Sequence, residues 1–166
     1  MNVNRESTSP INSAVYIVAT DIPNQFQDAF NDWYDTEHLA DVSDKPGVHS
    51  GMRYFANAGS PQFVAMYELT SLATVESPEF ERLDTHPSEW SLRVSPRVIG
   101  VNTQRYLAEL EWRTDSFALG AQFPQELSIE CLNQRPDTDS LGKFTQSPNN
   151  SFARLYRVHE GNAAFL

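Results

Sequence analysis

Cysteine and long apolar runs are scarce in this chain of 166 residues. The single cysteine, Cys131, excludes an intrachain disulfide framework and a multi-cysteine metal site, which favours a reducing compartment. No window approaches the roughly 20 apolar residues of a membrane span, and residues 1–10 lack the apolar core of a signal peptide. We therefore expect a soluble, cytoplasmic protein with no membrane partner.

Basic side chains are also few. The sequence has 12 lysines and arginines against 22 aspartates and glutamates, and the net charge is −10. A negative charge of this size repels phosphate backbones at long range. We therefore expect no nucleic-acid partner.

The common cofactor and catalytic signatures are missing. The sequence contains no P-loop, dinucleotide-binding, G-x-S-x-G, H-E-x-x-H or C-x-x-C motif. Nucleotide, serine-hydrolase and common zinc mechanisms therefore lose their usual support. We expect no cofactor and no metal, which leaves proton transfer by ordinary side chains.

The hydrophobic pattern predicts the order strand, helix, strand, strand, helix, strand. The predicted strands are Ser13–Thr20, Val48–Phe55, Gln62–Leu69 and Arg97–Trp112. The predicted helices are Asn24–Asp44, ended by Pro46-Gly47, and one that begins at Ser77-Pro78, breaks at Pro87 and ends near Val94. This order indicates a ferredoxin-like α+β domain over residues 13–112, with an antiparallel sheet and both helices on one face.

The second face of this sheet would remain apolar and uncovered by the domain. We therefore expect a second protomer to cover it, which makes the chain a homodimer. Residues 1–12 are predicted as a flexible tail, and residues 113–166 as a C-terminal extension. The extension has predicted strands at Leu127–Asn133 and Phe152–His159, separated by Gln134–Asn150, and these strands should extend the sheet or contact the partner.

The first predicted helix places polar groups on its apolar face. At about 100° per residue, one stripe carries six side chains, with His38 on its edge: Phe26, Phe30, Trp33, Tyr34, Glu37 and Asp41. An unpaired buried charge costs several kcal/mol. A polar pocket between helix and sheet would resolve the conflict. Alternatively, Glu37 and Asp41 lie at the rim, where they cap backbone groups or pair with arginines.

His38 is the candidate general acid or base, because an imidazole exchanges protons near neutral pH. The alternative is an imidazole that only packs the helix. On the second strand His49, Gly51, Arg53 and Phe55 should share one face, while Val48, Met52 and Tyr54 take the other. If the first face lies under the helix, His49 and Arg53 meet Tyr34 and His38. Arg53 would otherwise neutralise Glu37 or Asp41.

The candidate residues form two sets. The predicted catalytic residues are His38, His49, Tyr34, Asp41 and Arg53. The predicted substrate-binding residues are Trp33, Glu37, Trp90, Tyr16 and Phe63.

Several of these residues carry a family resemblance. The pattern F-x-x-W-Y-x-x-E-H-x-x-D over residues 30–41, followed by Pro46-Gly47-Val48 and Arg53-Tyr54, resembles the EthD-like branch of the dimeric α+β barrel superfamily. Tyr67-Glu68-Leu69 and the helix start Ser77-Pro78-Glu79-Phe80 extend the resemblance. Some members carry two copies in tandem, and residues 117–158 resemble a second copy that has lost its first helix. Barrel closure by dimerisation is therefore expected.

The superfamily includes monooxygenases, isomerases, cyclases, dehydratases and decarboxylases as well as binding proteins. We expect a cofactor-independent enzyme that acts on a small hydrophobic aromatic or polyketide-like substrate by acid–base chemistry, as an isomerase, cyclase, dehydratase or carbon–carbon lyase. A cofactorless monooxygenase is one alternative. A non-catalytic barrel that binds a small apolar molecule is another.

Overall fold

The computed structural model describes residues 13–113, 129, 136–137 and 154–161. Its five strands form one antiparallel sheet in the order β2-β3-β1-β4-β5. The strands are β1 (Ala14–Asp21), β2 (Val48–Phe55), β3 (Phe63–Leu69), β4 (Val101–Arg113) and β5 (Arg154–Gly161). The predicted ferredoxin-like α+β fold is confirmed, and β5 extends the sheet at the free edge of β4.

The first helical segment covers residues 24–43, as the sequence predicts, but it is not uniform. It comprises a 3-10 turn (Asn24–Phe26), α1 (Gln27–Trp33), a π turn (Tyr34–His38) and α2 (Leu39–Ser43). The chain then turns at Gly47, whose φ of 87° lies in the left-handed region that favours glycine.

The second helical region consists of short pieces. They are a 3-10 turn (Leu72–Glu76), α3 (Pro78–Thr85), α4 (Ser91–Val94) and α5 (Pro96–Ile99). The Ser77 hydroxyl accepts a hydrogen bond from the Phe80 amide at 3.2 Å, which confirms the predicted start of α3. The last predicted strand begins too early, because Pro96 occupies the first turn of α5 and β4 begins only at Val101.

The core between the helices and the sheet is rich in aromatic side chains. Its most deeply buried members are Trp33, Tyr67, Phe30 and Leu69. Phe30 contacts Trp33, Tyr34 and Phe63 with ring centroids 5.3–5.9 Å apart. The helical segment is therefore fixed against β3 by a connected set of rings, which holds its inner side chains in defined positions.

The opposite face of the sheet is partly covered by the chain itself. Val15, Met66 and Ala108 are buried there, and Val15 has no exposed surface. A buried ion pair joins Glu68 of β3 to Arg154 of β5 on this side. The centre of this face is therefore buried within one chain, with Arg154 and Tyr156 of the C-terminal extension contributing, whereas the expected cover was a second protomer.

The two C-terminal predictions differ in their outcome. The strand predicted at Phe152–His159 corresponds to β5, shifted by two residues. The tail at 1–12 and most of Leu127–Asn133 lie outside the described residues. Among those described, no helix is both long and apolar enough to traverse a lipid bilayer.

Candidate functional site

The π turn decides which side chains of the first helix point inward. A π turn contains one residue more than an α turn, so the residues that follow are displaced by one position around the helix axis. The buried stripe accordingly runs through Phe30, Trp33, Tyr34 and Val42, with His38 on the same side. Asp41, predicted on this stripe, is exposed, so its predicted inner position is wrong.

A recess opens between the helical segment, β2 and α5. It contains about 210 Å³ of empty space, part of it continuous with solvent. Its walls include Phe30, Tyr34, Phe63 and Pro96. The part of it that admits a water-sized molecule is about 10 Å³, so the recess is a shallow, open groove, and a planar ring would cover it rather than enter an enclosed pocket.

One row of cross-strand neighbours forms the recess floor. Ala65 pairs with Arg53 on one side and with Val18 on the other, and Val18 pairs with Arg105. Two small apolar side chains therefore lie between two arginines. At about 4.8 Å per strand, the two arginine Cα atoms are roughly 14 Å apart.

Tyr34 and Tyr67 form a buried pair of phenols beside this floor. Their hydroxyl oxygens are 3.0 Å apart, and one hydroxyl donates to the other. Burial is the main cause that raises the pKa of Tyr34 to about 12. Both phenols are therefore protonated at neutral pH. The bond between them uses one of the two hydroxyl hydrogens. The other hydroxyl hydrogen has no acceptor among the described residues.

Arg53 covers the ring of Tyr34. Its guanidinium carbon lies 4.3 Å from the centre of that ring, close enough for a cation–π contact. The guanidinium also donates to Asp35 at 2.5 Å and to Asn31 at 2.7 Å. The predicted approach of Arg53 to Tyr34 is therefore found. Its carboxylate partner is Asp35 rather than Glu37 or Asp41.

His38 occupies an apolar position beside Tyr34. Its ring stacks on Trp33 at 4.2 Å between centroids and meets the Tyr34 ring edge-on at 4.9 Å. Burial, and then the charge of Arg53, lower the pKa of His38 to about 4. No described residue forms a hydrogen bond with this imidazole. His38 is therefore neutral at pH 7, and it lies behind Tyr34 rather than in the lining of the recess.

His49 lies away from this group. A β-bulge between Val48 and Ser50 opposes two residues of β2 to one of β3 and turns Val48 toward the helical core. His49 is exposed, with its Nε2 atom 3.2 Å from the Thr70 hydroxyl. Its predicted position beside Tyr34 and His38 is wrong because the bulge breaks the two-residue alternation.

Glu37 and Trp33 are engaged in helix packing. The Trp33 indole donates to the Ser91 hydroxyl at 3.1 Å and to the Glu37 carboxylate at 3.3 Å, and Ser88 also donates to Glu37. Glu37 thus connects the first helix to the start of α4, close to the predicted rim position. Trp90, directly before α4, has 37% of its surface exposed and does not line the recess.

Of the two predicted substrate-binding residues on the sheet, only Phe63 lines the recess. Phe63 is buried and lines the recess, while Tyr16 stacks on Tyr67 at 6.4 Å. Burial raises the pKa of Tyr16, and Arg105 opposes this rise through its charge and a hydrogen bond to the phenol. Gly51 leaves no open space on this face, since an added Cβ would lie 2.7–2.9 Å from Ser43 and the Tyr67 ring.

Sequence reasoning missed four members of the site, namely Asn31, Asp35, Tyr67 and Arg105. Asn31 and Asp35 are four residues apart and so lie on one side of the helix, which is the available signal for a shared partner. Tyr67 carries no local signal of a functional role, since a tyrosine in a strand is ordinary. Its contact with Tyr34 depends on the relative position of helix and strand, which the sequence does not encode locally.

The described residues contain no cluster of three or more histidine, cysteine, aspartate or glutamate side chains suited to a metal ion. The recess is lined instead by the rings of Phe30 and Phe63, the phenol of Tyr34 and the guanidinium of Arg53. Such a set can hold a planar apolar ligand, stabilise a developing oxyanion and exchange protons with a neutral imidazole.

No protein-family model matches the sequence, and no curated protein matches it. Among solved structures, the chain is similar to an uncharacterized NIPSNAP-like domain protein from Burkholderia xenovorans. The identity is 15%, the TM-score is 0.43, and the similarity covers 65% of this chain and 90% of that one.

Proposed function

We propose that this chain is a cofactor-independent enzyme that performs acid–base chemistry on a small hydrophobic aromatic substrate. Isomerisation, cyclisation, dehydration and carbon–carbon lysis are the reaction classes that fit, as in the EthD-like barrels that the helix motif resembles. One observation carries the proposal. The buried Tyr34 ring contacts a neutral imidazole at 4.9 Å and a guanidinium at 4.3 Å, beside the recess.

The chemistry divides between these groups. A neutral His38 removes a proton from carbon, and the electron pair left behind moves to an oxygen of the substrate. The Tyr34–Tyr67 pair donates its second hydrogen to that oxygen, and the charge of Arg53 stabilises the anion. Returning the proton from His38 to a different atom gives an isomer, whereas loss of a leaving group gives an elimination.

The proposal is tested with 5-nitrobenzisoxazole, a neutral planar substrate without a carboxylate. Removal of its C3 proton breaks the N–O bond and releases a coloured cyanophenolate, so one base and one oxyanion site suffice. We expect His38→Gln to lower kcat/KM by about 100-fold, the contribution of a general base. The rate should rise with pH through about 4, where His38 becomes neutral.

His86→Gln is the matched control, because His86 is exposed and its imidazole contacts the neighbouring Thr85 hydroxyl. Equal rates for wild type and His38→Gln, with both variants folded, would contradict the proposal. So would a wild-type rate no higher than that of free imidazole at the same concentration.

A non-catalytic binding protein is the second candidate. It is favoured by the commitment of Arg53 to Asp35 and Asn31, which reduces the charge available for a reaction. In that case an aromatic ligand would bind in the recess, and no variant at His38 would change the chemistry of the probe.

We also propose that the chain is a homodimer through the sheet face opposite the helices. The support is apolar surface that remains around the buried centre of that face. Met52, on this side of the edge strand β2, is 37% exposed, and Ile17 is only partly buried.

A further inference from the structure

Arg105 is a half-buried guanidinium with no carboxylate partner in the part of the chain that the structure describes. Its one described hydrogen bond is to the phenol of Tyr16. The nearby carboxylate of Asp84 is bound to Arg97 at 2.5 Å. A cation that is partly withdrawn from water without an anion has lost hydration that no ion pair replaces.

Arg53 and Arg105 therefore differ, although they flank the same recess floor. Arg53 is neutralised by Asp35 and oriented by Asn31. Arg105 retains its full charge, and that charge reaches the site, since both guanidinium groups lower the pKa of Tyr34 against the effect of burial. The uncompensated positive charge lies at the Arg105 end of the floor.

We infer that the ligand of this recess is a single-ring aromatic carboxylate, with its carboxylate on Arg105 and its ring over Val18 and Ala65. This inference rests on the proposed function, because it names the substrate class of the same site. A guanidinium binds a carboxylate through two parallel hydrogen bonds, and the two side chains between the arginines are apolar, as the face of a ring requires. The far end of the ring then points to Tyr34 and Arg53.

The pairing also explains why one arginine is neutralised and the other is not. A ligand with one negative charge needs one free cation, and a second free guanidinium would favour a dianion. During the proposed reaction the new oxyanion forms near Tyr34, where the hydroxyl pair and the partly neutralised Arg53 stabilise it.

Titration calorimetry with benzoate and benzamide tests the inference, since the two ligands differ in charge but hardly in shape. We expect wild type to bind benzoate at least about tenfold more tightly than benzamide, the size of one charge-assisted hydrogen bond. Arg105→Gln should bind both ligands equally. Arg105→Lys should retain part of the preference, because it keeps the charge and loses the bidentate geometry.

Arg93→Gln is the control, because it removes the same charge from an exposed pair with Glu89 on α4. It should retain the wild-type preference for benzoate. Equal binding of benzoate and benzamide by wild type, no benzoate binding, or a preference that survives in a folded Arg105→Gln variant would overturn the inference. Calorimetry involves no proton abstraction, and the neutral nitrobenzisoxazole carries no carboxylate. The calorimetric test can therefore fail while the proton-abstraction test succeeds, and the reverse.

Discussion

The buried polar side chains of this protein differ in how many of their hydrogen-bonding groups have a partner. Glu37 accepts from Trp33, Ser88 and Ser91, and Arg53 donates to Asp35 and Asn31. Such groups contribute to folding, since leaving any one of them unpaired would cost about 1–3 kcal/mol. His38 and Arg105 lack comparable partners, which is why proton transfer is assigned to His38 and ligand binding to Arg105.

The perturbed His38 pKa makes a prediction about stability. Its pKa is lowered to about 4 in the folded chain, while the unfolded chain titrates near the ordinary value. Between these two values the unfolded state binds more protons, so stability falls as the pH falls through this interval. At neutral pH His38 is uncharged in both the folded and the unfolded chain, so it no longer makes stability depend on pH. The total loss is at most about 3 kcal/mol.

Urea unfolding of wild type and His38→Gln at pH 7 and pH 4.5 measures this effect. Wild type should lose more stability than the variant on acidification, because the variant lacks the titrating group. His86→Gln should follow wild type. Identical pH dependence in wild type and His38→Gln would show that this imidazole does not resist protonation in the folded state.

At the scale of elements, local signals predicted most of the framework. Proline, glycine and serine mark the ends of the first helix and the start of α3, and β-branched runs mark the strands. Two of the failures, the positions of Asp41 and His49, share one cause. The π turn at Tyr34–His38 and the bulge at His49 each insert one residue, and an inserted residue changes which side chains face inward without altering the hydrophobic composition.

The site was therefore predicted in part. Tyr34 and Arg53 meet as expected, because Tyr34 opens the π turn and Arg53 keeps the two-residue alternation with Gly51 and Phe55 after the bulge. Asp41 and His49 do not join them, since each depends on a phase that an inserted residue shifts. His38 moves from the edge of the stripe to its inner side for the same reason.

The π turn makes a prediction about deletions. Removal of exposed Thr36 should convert the π turn into an α turn and leave Trp33, His38 and Val42 inward. Removal of exposed Ala40 also shortens the segment by one residue. If Val42 stays inward in that variant, Glu37 turns into the core in place of His38. The second deletion should lower Tm more, because it buries a carboxylate.

Circular dichroism melting of both deletion variants provides the comparison. Equal losses of Tm would mean that the extra residue at the π turn does not set the phase of the inner stripe. A larger loss for the Thr36 deletion would have the same meaning.

At the scale of the whole molecule, net charge opposes the association of two chains and exposed apolar surface favours it. Each chain carries a net charge of −10, which opposes association at low ionic strength. The Debye length is about 8 Å at physiological salt, so most of this repulsion is screened there. The face that carries Met52 and Ile17 offers apolar surface whose burial does not depend on salt in this way.

The proposed homodimer should therefore be stable at physiological salt and weaken as the salt concentration falls. Light scattering at micromolar concentration should give twice the chain mass of 18.8 kDa. Met52→Glu should give the monomer mass, because it places a carboxylate on the face opposite the helices. Leu92→Glu is the matched control, since Leu92 is 59% exposed on α4, on the helical side.

Two results would contradict a dimer through this face: a wild-type monomer at physiological salt, or a dimer that Leu92→Glu disrupts and Met52→Glu does not. The chain's own cover over Val15 and Met66 would then be sufficient to protect the sheet.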